Sequence, residues 1–186
     1  MNKWRLPASL KLGGVDFAIR TDYRVILGIF RVLNDDSFDD IEKWAIAIRA
    51  FYVSEDIPDV DEAMEQMLIF FNCGSKHNDD DTTKPKLMDW EQDAELLIPA
   101  INAAAGFDIR GVEQLHWWTF LSYYMSIGES TFSMVYNIRR KMAYGEKLEQ
   151  YERDFVKDNP SVVILRDAER LRQDEEDRQA LAEIGL

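Results

Sequence analysis

Apolar residues along this chain change their period near residue 22. Before it, Val15, Phe17 and Ile19 alternate with Asp16, Ala18 and Arg20. Alternation of that kind is the signature of a strand with one buried face. Residues 8–12 form a second extended-looking run, and Gly13-Gly14 separates the two. Adjacent glycines supply the positive φ that a two-residue hairpin turn requires. The pattern predicts a β-hairpin over residues 8–21, which needs a helix against one face to be stable.

From Asp22 the spacing becomes helical. Val25, Ile26, Ile29, Phe30 and Leu33 share a stripe, Asp22 is placed to cap its start, and Asn34-Asp35-Asp36 marks the stop. A second helix is expected from about residue 39 to 53, with Ile41, Trp44, Ala45, Ile48, Phe51 and Tyr52 apolar. Ile57-Pro58 breaks the chain, and residues 59–71 read as a third helix carrying Met64, Met67, Leu68 and Phe71. Residues 74–88 are polar and without period, as expected of a mobile acidic loop.

Helical spacing returns at Asp89, with Trp90, Ala94, Leu97, Ile98 and Ile101. Pro99 should kink that helix or end it early, and Gly106 should cap it. Further helices are expected from near Gly111 to Gly128, over 131–144 and over 146–157. Pro160 can open a last, highly charged helix over about 161–183, whose thin stripe is Ile164, Ala168 and Leu171. The reading is a mainly α protein: a helical bundle with a small N-terminal β-hairpin and a charged C-terminal helix. Its expected divisions are 1–73, the loop 74–88, an aromatic-rich half 89–159 and the tail 160–186.

Composition narrows the function. The formal net charge is −13, with 35 acidic residues against 22 basic ones. Such a chain is repelled by phosphate backbones and anionic lipid, so nucleic-acid and membrane partners are not expected. No apolar run reaches the ~18 residues that span a bilayer, and the first residues lack a signal-peptide core. Cys73 is the single cysteine, so no intramolecular disulfide can form.

Candidate chemistry is sparse. Cys73 and His77 stand four apart near Asp79, Asp80 and Asp81, but a zinc site needs more rigid ligands than that loop offers. The same two residues as nucleophile and base would lack an orienting third group. Asp35, Asp36, Asp39 and Asp40 lack the glycine and distal glutamate of an EF-hand and are better read as helix caps. No phosphate loop, nucleophile elbow or HExxH motif occurs. No cofactor, metal or catalytic residue is expected, and His116 reads as a histidine hydrogen-bonded in or near a core.

One segment stands apart: Leu115 to Met125, LHWWTFLSYYM, has five aromatic residues in eleven and no full charge. A helix apolar on most sides is central to its bundle or covered by a partner. Trp and Tyr serve either role.

Four motifs occur in order: Asp89-Trp90-Glu91-Gln92-Asp93-Ala94, Gly106-Phe107-Asp108-Ile109, Leu115-His116-Trp117-Trp118-Thr119-Phe120, and Ile138-Arg139. Together with the hairpin leading into Thr21-Asp22-Tyr23-Arg24, they resemble the phage "gene product fifteen" family of tailed phages and prophages of Gram-positive bacteria. The resemblance runs from about residue 7 to 159. Phe107 stands where the family more often has isoleucine, and the charged tail is outside the match.

Genes of that family lie between those for the major tail protein and the tape-measure protein, a position typical of tail assembly chaperones. The resemblance therefore implies a chaperone that covers apolar stripes of the tape-measure protein and helps recruit major tail protein subunits. It implies action in the host cytoplasm and absence from the mature virion. A homo-oligomer is compatible with it. The alternative is a structural tail or connector component retained in the virion. An enzyme or host-takeover factor is a third reading, and an enzyme would need a closed pocket around His116 with an acid partner. The residues expected to contact a partner are Trp117, Trp118, Tyr124, Met125 and Trp90.

Overall fold

In a computed structural model, residues 4–76 and 84–166 are described. The fold is mainly helical, with one two-stranded antiparallel sheet at the N-terminus among the described residues. Strands β1 (Ser9–Leu12) and β2 (Val15–Ala18) pair with Leu10 opposite Phe17 and Leu12 opposite Val15. Gly13 and Gly14 turn between them at φ of 56° and 83°, the left-handed pair that a twisted hairpin demands. The inward face belongs mainly to Leu10, Leu12 and Ile19. Val15, expected inside, is exposed beside the turn at the sheet's outer end.

The helices are α1 (Tyr23–Leu33), α2 (Asp40–Phe51), α3 (Val60–Phe71), α4 (Ala94–Ala105), α5 (Trp117–Met125), α6 (Thr131–Ala143), α7 (Gln150–Asp158) and the short α8 (Pro160–Val163). Asp22, Asp39 and Asp59 cap the first three, each accepting from a backbone N–H of the first turn. The acids of the 35–40 cluster are thus largely local: Asp35 binds Ser37, and Asp39 forms a capping box with Glu42.

The chain divides into two compact units, Met1–Asp81 with Ala105–Ser126, and Thr82–Ala104 with Ile127–Leu186. The aromatic helix α5 therefore groups with the N-terminal residues, whereas the expected divisions placed it among residues 89–159. Linear reading missed this because the chain returns to the first unit through backbone pairing, described below, that no periodicity reveals.

In the first unit the hairpin lies on α3, and α2 packs along α1. Ile26, Ile29, Phe51, Phe70 and Phe120 are among its fully buried side chains. The guanidinium of Arg20 donates to the carbonyls of Arg49, Ala50 and Tyr52, closing the C-terminal end of α2 against the strand that follows the hairpin turn.

The second unit is built on α4 and α6, with Leu97, Ile101, Val135 and Ile138 inside. The α-helix begins at Ala94 rather than near Asp89, whose side chain caps the preceding turn through the N–H groups of Glu91 and Gln92. Pro99 does not end α4. It sits on the exposed face, where the Glu95 carbonyl it leaves unbonded can meet water.

Arg139 and Asp93 are buried at the centre of this unit, at 5% and 1% exposure. Arg139 grips both Asp93 oxygens at 2.7 and 2.8 Å and also donates to the carbonyls of Leu87, Val162 and Val163. All five of its N–H groups are used. Gln92 adds bonds to the Ser161 and Ile164 carbonyls and accepts from the Arg166 N–H. These bonds hold residues 161–166, and α8 ends at Val163 with Ile164 already extended. The long charged helix expected from 161 is therefore not continuous from its start, and its positions beyond 166 lie outside the described residues, as do His77 and Asp79 to Asp81. Among the described residues no helix is long and apolar enough to cross a membrane.

Removing one member of a buried, paired charge leaves its partner stranded. Arg139→Met is expected to cost about 3–5 kcal/mol. By contrast, Arg140→Met breaks only an exposed pair with Glu146 and should cost under about 1 kcal/mol. Urea midpoints of the two variants, followed by circular dichroism, check the contrast.

Candidate functional site

The residues singled out from sequence are not one surface. Trp117 and Trp118 are 2% and 8% exposed and belong to the core of the first unit. Tyr124 is half-buried, and Met125, at the end of α5, is 81% exposed. Trp90 is half-buried and belongs to the other compact unit. In this conformation the two tryptophans cannot meet a partner.

Their position follows from the end of α3. That helix closes in a Schellman motif: Gly74 N–H donates to the Ile69 carbonyl and Cys73 N–H to Phe70. Cys73 itself takes a left-handed φ of 52° and Gly74 one of 81°. The Trp117 indole N–H donates to the Phe71 carbonyl at 3.0 Å, and that of Trp118 to the Phe70 carbonyl at 2.8 Å. The Trp117 indole thus satisfies the Phe71 carbonyl at the helix end, and the Trp118 indole adds a second donor to the Phe70 carbonyl, which already accepts from Cys73. Their rings fill the same region, with Trp117 stacked on Phe120 and edge-on to Phe30.

His116 holds the other side of the motif. It is the N-cap of α5, and its Nδ1 accepts from the Trp118 backbone N–H at 3.0 Å. Its Nε2 lies 3.1 Å from the Pro7 carbonyl, which can only accept, so Nε2 carries the proton of a neutral ring. Burial pushes its pKa below the ordinary imidazole value, against the opposing pull of Pro7. Residues 115–117 also pair with 21–23: Tyr23 N–H donates to Leu115 O, Trp117 N–H to Thr21 O, and Leu115 N–H to the Asp22 carboxylate. LHWW therefore clasps the hairpin, α1, α3 and α5 together.

A surface that the sequence reading passed over lies between α2 and α3. A cleft of about 560 Å³ is lined by Ile41, Trp44, Ile48, Ile57, Val60 and Met64, with Asp40, Arg49 and Glu55 among its polar members. Its volume falls within the ~300–1,000 Å³ of small-molecule ligand pockets. Ile41 is 83% exposed and Val60 52%. The signal was present as two equal spacings: Ile41, Trp44, Ile48 and Ile57, Val60, Met64 each run i, i+3, i+7. The sequence reading groups Ile41, Trp44 and Ile48 with the other apolar positions of α2, because that helix buries a second, adjoining face through Ala47 and Phe51, and it takes Ile57 only as part of the Ile57-Pro58 break.

Two expectations follow from the clasp. Protonating Nδ1 would abolish the cap, and with the folded pKa depressed the unfolded chain binds more protons, so stability rises with pH. His116 should contribute its full share above the ordinary imidazole value of ~6.5 and lose it as pH falls through that value toward the depressed one. The difference in urea midpoint between wild type and His116→Asn, which keeps a cap but cannot titrate, should shrink from pH 7.5 to pH 5. Trp117→Phe should cost more than Trp118→Phe, by about 1–3 kcal/mol, because Phe70 O keeps the Cys73 N–H when Trp118 is replaced. Thermal or urea unfolding of both variants measures that difference.

Comparison with known proteins bears on which family carries these features. No curated protein and no solved structure gives a significant match to the chain. The family described as Bacteriophage Gp15 protein matches residues 3–162, an interval holding the hairpin, the LHWW clasp, the α2–α3 cleft and the Asp93–Arg139 pair. Since that match spans most of the sequence, the chain belongs to the Bacteriophage Gp15 protein family.

Proposed function

We propose that this phage protein is a tail assembly chaperone that covers apolar surfaces of the tape-measure protein and helps recruit tail-tube subunits. The observation that carries the reading is the open, apolar α2–α3 cleft on a strongly acidic chain. A chaperone for a long helical client needs an apolar surface that is accessible before the client arrives, and net charge that keeps its own copies apart. Met and aromatic side chains such as Trp44 and Met64 adapt to varied apolar partners. The acting location is the host cytoplasm during assembly, and the protein leaves as the tube polymerises.

Trp117 and Trp118 have no direct part in this reading, since both are buried and bonded. Met125 is exposed and stays as a secondary contact.

Co-expression with the tape-measure protein encoded nearby, followed by affinity pull-down and sizing, tests the proposal. The expected result is a soluble complex, with the tape-measure protein insoluble alone and the chaperone absent from purified virions. A tape-measure protein equally soluble alone, with this chain found in virions, would make it a structural component instead.

A further inference from the structure

We propose that the α2–α3 cleft binds a single amphipathic α-helix whose apolar stripe is flanked by lysine or arginine. The inference rests on the chaperone reading only for which protein supplies that helix. Its physical basis is the cleft and the charge around it.

The apolar wall has two sides. Ile41, Trp44 and Ile48 come from α2, and Val60 and Met64 from α3, with Ile57 in the connection. Residues three and four apart stack on one helix face, so each side offers a row along its helix. Two helical rows with space between them accept the ridge of a third helix, the helix-in-groove mode in which i, i+3, i+4 and i+7 anchors enter.

Charge selects the kind of helix. Between positions 35 and 65 there are eleven acids, Asp35, Asp36, Asp39, Asp40, Glu42, Glu55, Asp56, Asp59, Asp61, Glu62 and Glu65, against the two bases Lys43 and Arg49. That one stretch carries nine of the chain's thirteen net negative charges. Asp40 and Glu55 line the cleft itself, with Arg49 as its single lining base. An apolar floor in an acidic frame repels a helix with acidic flanks and steers in one with basic flanks. The same repulsion disfavours a second copy of this chain, which would bring an identical acidic frame to the contact.

The test is calorimetric titration of the full chain with two synthetic helices, each about four turns long. They share a leucine stripe and differ only in having lysine or glutamate on the remaining positions. The lysine peptide is expected to bind and the glutamate peptide not. The variant Ile41→Asp/Val60→Asp changes two exposed positions and should leave the circular dichroism unaltered. It adds negative charge yet should weaken the lysine peptide about tenfold, equivalent to about 1.4 kcal/mol, because the apolar contact is what it removes. Glu55→Lys should weaken the lysine peptide and let the glutamate peptide bind. Failure of the lysine peptide, equal binding of both peptides, or binding unmoved by Ile41→Asp/Val60→Asp would each overturn the inference. So would a concentration-dependent dimer that this double substitution abolishes, which would give the cleft to a second copy. If the tape-measure protein still co-purifies while the peptides fail, the chaperone reading survives and this inference falls. Peptide binding at the cleft with no tape-measure co-purification has the converse meaning.

Discussion

A helix that ends inside a protein leaves carbonyl groups that must be met by something other than water. The first unit is organised around one such end, the C-terminus of α3 at Phe70 and Phe71. Neither the Schellman turn nor solvent provides for both carbonyls, and the indoles of Trp117 and Trp118 complete the set. That requirement fixes where α5 must start. The start of α5 then fixes His116, whose two nitrogens tie the helix to its own first turn and to the segment before β1. Because residues 115–117 pair with 21–23, the same point also sets the entry of α1. Four elements thus depend on a run of four residues.

The second unit has its own counterpart. Arg139 and Asp93 form a buried pair that by itself would give little net stability. Its value lies in the three carbonyls that the guanidinium also meets, which hold residues 87 and 162–163 to α6. Both arrangements use long planar donors to terminate backbone that would otherwise be unsatisfied. The motifs that carry the family resemblance, DWEQDA, LHWW and Ile138-Arg139, contain the residues that make these bonds. In this family member the signature therefore reads as architecture.

Much of the fold was legible in the sequence. The glycine pair marked the hairpin turn, Asp22 and Asp59 marked helix starts, and Gly106 takes the left-handed φ expected of a helix stop. These are local signals, and local physics decides them. Three features were not legible. The grouping of α5 with the N-terminal residues depends on hydrogen bonds across ninety positions, such as Leu115 N–H to Asp22. The end of α8 depends on Arg139 and Gln92 gripping residues 161–164, and the charge pattern there says nothing of it. The cleft escaped notice because Ile41, Trp44 and Ile48 are apolar at helical spacing, and such spacing looks the same whether a face is buried by its own protein or left for another. The aromatic segment invited the opposite error: its tryptophans suit an interface by composition, yet their N–H groups are already committed inside.

The proposed division of labour has the aromatic signature holding the fold while the α2–α3 cleft meets the partner. Hydrogen–deuterium exchange of the protein, free and in complex with the tape-measure protein, tests it most directly. Added protection is expected across residues 40–64, with unchanged exchange across 115–121. Protection confined to 115–125, with 40–64 exchanging as in the free protein, would contradict it.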